Sequence, residues 1–272
     1  MSTSINTNIG AMMAQGALRT AGAQLDRASK MVQTGYRVAD SMDDASTFSV
    51  AQGIRGNLQA FQSVQGSLAN GMGLGAVTEE ALTSISDLIG NIQAKVTQLA
   101  DGSISANQRT IYTADFNAMT SQIANFISQA NYNGINLLSA ASVTRTFISD
   151  TSANTLSLTS QSAVRAAFTT FATSSVTSAS SSTLALTSLN TFAQAVNVAM
   201  SNNASDARAL RLHSNFINAQ VDAIQTGLGA VVDADIGKAS AEVQSRQVQR
   251  QLGVQSLSLA NQQPSTLLGL FR

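Results

Sequence analysis

Few side chains in this sequence could perform acid–base or nucleophilic chemistry, and they are scattered. There is one histidine, His213, and there are no cysteines. A catalytic histidine needs a nucleophile and an orienting acid within hydrogen-bond reach, and nothing around Leu212 and Ser214 supplies them. We therefore predict that the chain has no catalytic residues and is not an enzyme.

Two further patterns suggest ligand binding at first sight. The glycines of Asn70-Gly71-Met72-Gly73-Leu74-Gly75 have the wrong spacing for a dinucleotide loop, and a helical pattern precedes them. A bend, or the close approach of a neighbouring helix, explains them better. The acidic pairs Asp43-Asp44 and Glu79-Glu80 do not form a calcium loop, and helix starts favour such charges. We predict no cofactor and no metal site.

Composition argues against nucleic acid and membranes as partners. Lys+Arg and Asp+Glu are both 15, so the formal net charge is zero, and basic residues form no runs. No window approaches the ~20 apolar residues of a membrane span, and the start lacks an ordinary secretory signal. Charged residues are only 11% of the chain, which suits surfaces that end up against other subunits.

The elements that dominate the sequence are helices with coiled-coil spacing. In the first of them, Asn8 or Thr7 can cap the start and Gly35 can end the helix. A loop with three aspartates follows, and then a helix of about 50 residues, well beyond the usual globular length. Apolar residues of the first helix alternate spacings of three and four: Ala11, Ala14, Leu18, Ala21, Leu25, Ala28 and Val32.

The middle of the chain changes character. A third helix is predicted over 105–130, and two short strands flank a turn near Asp150 to Asn154. Residues 173–183 are dominated by Ser and Thr, and we predict a solvated, weakly structured segment there. Helical heptads return from Ala207 to Val231, and a patchier stripe runs from Ile236 onward.

Four groups of residues resemble bacterial flagellins, in the right order at both ends. The first two are Ile5-Asn6-Thr7-Asn8 and the loop Thr34 to Val38 followed by Asp43-Asp44-Ala45. The third is Tyr132-Asn133-Gly134-Ile135 with Leu137-Leu138. The fourth is the C-terminus, with Gln251-Leu252-Gly253, Ala260-Asn261-Gln262 and Leu267 through Arg272.

This resemblance implies a mainly α fold of long helices. Residues 1–40 and 233–272 would form an inner coiled-coil polymerisation domain from both termini. Residues 41–232 would form an elongated helical rod with a β-hairpin and a small variable Ser/Thr-rich segment near 143–186. The outer domains of larger flagellins are missing, because residues 160–187 are too few for one.

The resemblance also implies partners and a location. The partners are other flagellin copies, possibly paralogues, the flagellar cap and hook-junction proteins, and an export chaperone on the C-terminal helix. The location is the extracellular flagellar filament, reached through the flagellar type III export apparatus. This replaces the cytoplasmic location that the sequence alone suggests.

One position departs from the family pattern. Members that the vertebrate flagellin-sensing receptor recognises carry an arginine after the glutamine in the stretch that matches Ile92-Gln93-Ala94-Lys95. Ala94 occupies that place here. We therefore expect weak activation of the receptor.

Polymerisation is the predicted function, because each apolar stripe is too narrow to form a core of its own. Two alternatives remain open: a hook-filament junction protein, and a secreted coiled-coil effector or adhesin. Residues predicted to make the coiled-coil and subunit contacts are Leu18, Leu25, Val32, Val243, Leu252 and Leu259.

Overall fold

The structure, a computed structural model, describes residues 7–139 and 141–269. Ile5, Asn6 and residues 270–272, which carry part of the resemblance, lie outside the described residues. The predicted mainly α fold with a small hairpin is confirmed. Its elements are α1 (Ile9–Thr34), α2 (Ala45–Ala100), α3 (Ala106–Gln129), β1 (Arg145–Ile148), β2 (Thr155–Leu158), α4 (Ser162–Ala172), α5 (Ala179–Val232) and α6 (Ile236–Gly269).

Local sequence explains where these helices begin and end. The Asn8 side chain accepts a hydrogen bond from the backbone N–H of Ala11 at the start of α1, and Gly35 ends that helix in the left-handed conformation with φ 74°. Ser105 and Gln108 form a capping box at the start of α3. These helix-end signals satisfy backbone groups that would otherwise lack partners, which confirms the predicted boundaries.

The backbone contacts divide the chain into two compact units. Unit 1 contains Met1–Gly56 and Ala223–Arg272, and unit 2 contains Asn57–Asp222. Within unit 1, α1 packs on α6. The connection between α5 and α6 is tied to the loop after α1, because the Ala234 N–H donates to the carbonyl of Gly35 at 2.9 Å.

Unit 2 has a continuous apolar core built from α2, α3, α4 and α5. This core contains a cluster of four phenylalanines. Phe171 stacks on Phe192, with the rings 6.0 Å apart and 2° from parallel, and meets Phe116 edge-on at 5.6 Å. Phe168 contacts Phe192 at 5.6 Å. Such pairs add roughly 0.5–1.5 kcal/mol each beyond area burial.

The prediction for residues 173–183 was wrong in part. Helix α5 begins at Ala179, and the Ser182 side chain is fully buried, where its hydroxyl donates to the carbonyl of Ser178 at 2.8 Å. Val176 is also buried. The serines looked like loop residues by composition, but side-chain bonds to nearby carbonyls allow them to enter a helix start.

The glycines Gly71, Gly73 and Gly75 of α2 are each approached closely by another part of unit 2. A Cβ atom at Gly71 would lie 3.1 Å from Phe147 of the hairpin, and one at Gly73 would lie 2.7 Å from the Tyr132 ring. A Cβ atom at Gly75 would be 3.7 Å from Ala207 of α5. The interpretation of these glycines as sites of close approach is confirmed, and α2 continues through them as one helix.

Gly73→Ala is expected to destabilise unit 2 by about 1–3 kcal/mol, because the added methyl group overlaps the Tyr132 ring. Gly66→Ala is the matched control in the same helix, since nothing lies within 4 Å of its Cβ position. That substitution should stabilise the protein by up to about 1 kcal/mol. Urea unfolding measures both, and equal stabilisation by the two alanines would contradict the packing described.

Candidate assembly surface

The two terminal helices of unit 1 run antiparallel. Asn8 at the start of α1 donates from Nδ2 to the carbonyl of Ala260 near the end of α6 at 2.7 Å. One stretch further along, Leu18 lies against Gly253, where a Cβ atom would come within 3.2 Å of Leu18 Cδ1. The missing side chain at Gly253 therefore allows α6 to approach α1 closely.

The inner faces of this α1–α6 pair hold the first group of predicted contact residues. Leu25 is buried, with 8% of its surface exposed, and Leu18 and Val243 are half-buried. Ala28 and Ala239 are buried as well. Leu18 and Leu25 thus contribute to pairing within the chain, and burial of such apolar surface is what stabilises a helix whose own propensity is insufficient.

The outward stripe of α6 consists of Val248, Leu252 and Leu259. Leu252 and Leu259 are the second group of predicted contact residues, whereas Val248 was not in the predicted set. The exposed fractions of the three side chains are 54%, 55% and 66%. Spacings of four and seven residues place them on one line along the helix. The five-residue step from Val243 to Val248 rotates the stripe by roughly 140°, so this line points away from α1.

Helix α1 also leaves apolar side chains uncovered. Ile9, Met12 and Met13 are 62%, 62% and 72% exposed, and Val32 is 37% exposed. The predicted set contained Val32 but not the first three. These three residues have spacings of three and four in the sequence. The inner stripe of α1 has the same spacings, so periodicity alone does not show which of the two stripes is exposed.

An ion-pair cluster holds the loop after α1. Lys30 Nζ lies 2.6 Å from Asp40 Oδ2 and 2.8 Å from Asp43 Oδ2. The hydrogen bonds from Lys30 hold the pKa of each carboxyl below its usual value, and they raise the pKa of Lys30. Asp44 caps the next helix through the backbone of Thr47 and its hydroxyl, which also lowers the Asp44 pKa.

Acid is expected to loosen this loop. Because the folded pKa values of Asp40 and Asp43 are lowered, their stabilising contribution is present above the ordinary aspartate pKa and is lost as the pH falls through the folded values. The protection factors of the amides of residues 37–43, which correct for the intrinsic pH dependence of exchange, should therefore fall below about pH 4. In Lys30→Met the loop should exchange quickly already at neutral pH. An unchanged loop in that variant would contradict this role of Lys30.

The same loop is anchored to the end of α5. Arg37 donates from Nη2 to the carbonyl of Val231 at 2.5 Å, and its backbone N–H donates to the carbonyl of Val232 at 2.7 Å. Both acceptors lie at a helix C-terminus, where carbonyls lack helical partners and positive charge is favoured. The arginine of the predicted loop motif therefore joins the two terminal segments.

Ala94 lies on the exposed face of α2, between the buried residues Ile92 and Val96. The following residue, Lys95, pairs with Asp115 of α3 at 3.0 Å and covers the Tyr112 ring at 4.7 Å. The side chain at position 94 is therefore free to vary without disturbing the core.

No group of metal-binding side chains occurs within residues 7–139 and 141–269. Over those same residues, no helix has the length and hydropathy to cross a membrane. Within the described residues, the side chain of His213 is hydrogen-bonded to a backbone carbonyl and not to a carboxylate. Its Nε2 lies 2.7 Å from the carbonyl oxygen of Ser149. That contact joins α5 to the hairpin.

The arrangement defines a class of protein: a long-helix subunit whose end segments pair but keep an apolar face uncovered. Comparison with known proteins agrees with this class. The profile of the bacterial flagellin N-terminal helical region matches residues 5–143, and that of the C-terminal helical region matches residues 204–271.

Similar proteins extend over the full chain. Flagellin FljN of Caulobacter vibrioides is 30% identical over 269 residues, covering 99% of this chain and 98% of that protein. A flagellin of Brucella melitensis is 30% identical over 281 residues, covering 99% of each. The crystal structure of Bacillus cereus flagellin has a TM-score of 0.51 at 20% identity over 56% of this chain and 88% of that one, a likeness of fold.

The chain belongs to the bacterial flagellin family. Its function is that of a flagellar filament subunit, and nothing found favours the junction-protein or effector alternatives. Membership in this family indicates a structural protein.

Proposed function

We propose that this subunit polymerises by burying the outward apolar faces of α1 and α6 against neighbouring copies. The observation that carries the proposal is the outward stripe of α6, whose three large side chains are each more than half exposed. Contiguous exposed apolar surface of this kind marks interaction sites in soluble proteins.

The driving force would be burial of these faces. At ~25 cal/mol per Å² of apolar area, a modest interface yields several kcal/mol before ordering costs are subtracted. Each subunit would offer one surface to a different surface of the next, and such head-to-tail contacts grow helical filaments rather than closed rings.

The pairing of the terminal helices suggests which residues act within one subunit and which contact other subunits. Residues 1–40 and 233–272 form the polymerisation domain, and residues 41–232 form the rod. Leu18, Leu25 and Val243 align the two terminal helices, whereas Val32, Leu252 and Leu259 contact other copies. The pairing of Asn8 with Ala260 supports this division, because it aligns the two termini over most of their length.

Further partners follow from the family. We propose export through the flagellar type III apparatus, a chaperone that covers the C-terminal helix, and assembly beneath the flagellar cap on hook-junction proteins. The uncovered stripe of α6 supports the need for a chaperone before assembly, since exposed apolar faces favour premature association.

Seeded polymerisation tests the proposed function. Purified full-length protein, mixed with short filament fragments, should extend them into long filaments visible by electron microscopy. A junction protein would add a few copies and stop, and an effector or adhesin would leave the fragments at their original length. Either of the last two results would overturn the proposal.

We expect weak activation of the vertebrate flagellin-sensing receptor because Ala94 stands where recognised family members carry an arginine. Purified monomer should activate reporter cells carrying the vertebrate flagellin-sensing receptor only weakly, and Ala94→Arg should increase the signal. Gln93→Arg is the matched control, because Gln93 is also exposed and the substitution places the same charge one residue away. That control should leave the signal weak. Strong signalling by the unmodified protein would contradict the expectation.

A further inference from the structure

An asparagine side chain is buried where α2 and α5 of unit 2 meet. Asn203 is 2% exposed. Its Nδ2 donates to the carbonyl of Gly75 at 3.0 Å and to Glu79 Oε2 at 2.7 Å. Its Oδ1 is buried without a hydrogen-bond partner among the described residues. The amide is therefore satisfied on one side only.

Such a residue is a poor choice for stability alone. Burying an unsatisfied polar atom costs roughly 1–3 kcal/mol, and an apolar side chain of similar volume would avoid that cost. Asn203 also continues a line of apolar residues with spacings of three and four. The preceding members of that line are Phe192, Val196 and Ala199, all buried.

At the level of Asn203 itself, small residues on α2 and α5 do little to fix the axial position of one helix on the other. The two helices run antiparallel, because Gly71 meets Leu210 while Gln65 bonds Asn218 at 2.7 Å. The α5 residues nearest to a Cβ atom at Gly75 are Ala207 and Asn203, and Leu158 of the hairpin lies at the same distance as Ala207. Small residues present a smooth surface, whereas large side chains lock into one another. The directional hydrogen bond from Asn203 to Glu79 can fix the axial position of the two helices where the small side chains do not.

We infer that Asn203 and Glu79 set the axial register of α5 on α2, so that every subunit adopts one rod conformation. A buried polar side chain in a coiled-coil seam is the best-attested device for fixing register at some cost in stability. The inference concerns the isolated subunit, so its test does not depend on the proposed assembly surface.

Cysteine cross-linking measures the register directly, since the chain has no cysteine of its own. Gly75→Cys with Ala207→Cys reports the native register, because the two Cβ positions are 3.7 Å apart, within the range for a disulfide. Gly75→Cys with Met200→Cys or with Ser214→Cys reports a shift of one heptad in either direction. Each pair is oxidised in the full-length monomer and its yield is compared.

Asn203→Leu should raise the yield of a shifted pair about tenfold, which corresponds to a loss of roughly 1.4 kcal/mol of preference for the native register. Its melting temperature should be equal to or above that of the parent. Asn202→Leu, at an exposed neighbouring position, is the matched control and should give the native pair alone.

Glu79→Ala provides a second test that leaves the apolar core intact, because Glu79 is only half-buried. Glu79→Ala should also give a disulfide between a shifted pair of cysteines. It tests the inference even if Asn203→Leu does not fold. A native pair alone in every folded variant of Asn203 and Glu79 would overturn the inference.

Discussion

Leu252→Asp is expected to abolish filament growth while the subunit stays folded. Leu252 is 55% exposed on the face of α6 that points away from α1, so a carboxylate there remains hydrated in the monomer. In a filament the same carboxylate would be buried without a partner, which costs several kcal/mol per ion. Sedimentation and electron microscopy after seeding measure growth, and circular dichroism measures the helix content of the monomer.

Two comparison variants make this result specific to the outward stripe. Ser258→Asp adds the same charge to α6 at an exposed position off the stripe, and it should still extend seeds. Leu25→Asp also prevents growth, but for a different reason, because Leu25 is buried and its loss disrupts the α1–α6 pair in the monomer. Normal filaments from Leu252→Asp would refute the assignment of the stripe.

Phe171→Ala is expected to destabilise unit 2 by about 3–5 kcal/mol. The side chain is fully buried and contacts Phe116 and Phe192, so its removal leaves a cavity beside those two rings. Thermal or urea unfolding of the monomer measures the loss.

Phe216→Ala is the matched control for that substitution. Phe216 is 60% exposed on α5, and exposed substitutions usually change stability by less than ~0.5 kcal/mol. A similar loss of unfolding free energy in both alanine variants would show that the four-phenylalanine cluster does not stabilise unit 2 more than an exposed phenylalanine does.

Much of the fold could be predicted from sequence because the signals are local. The Asn8 cap, the Gly35 stop and the alternation around the Asp150 turn each act within a few residues, and the structure confirms them. The buried residues Phe116, Ile123 and Ile127 of α3 recur at helical spacing, so periodicity alone places them on one face of the helix. Each of these depends on one helix or one turn.

The parts that sequence could not supply depend on contacts between distant segments. Periodicity shows that α6 has an apolar stripe, but the change of phase after Val243 acquires meaning only when α1 is known to cover one side. Likewise, the four phenylalanines come from three separate helices. The buried Ser182 lay in a stretch whose composition resembles a loop, so tertiary packing overrode the local signal.

Hydrogen exchange of the same protein as monomer and as filament tests the central claim most directly. If neighbouring copies cover the outward faces of α1 and α6, amides of these helices exchange readily in the monomer and become strongly protected in the filament. Amides in the core of unit 2, around Phe171 and Phe192, should be protected in both states. Equal protection of α1 and α6 in the two states would contradict the claim.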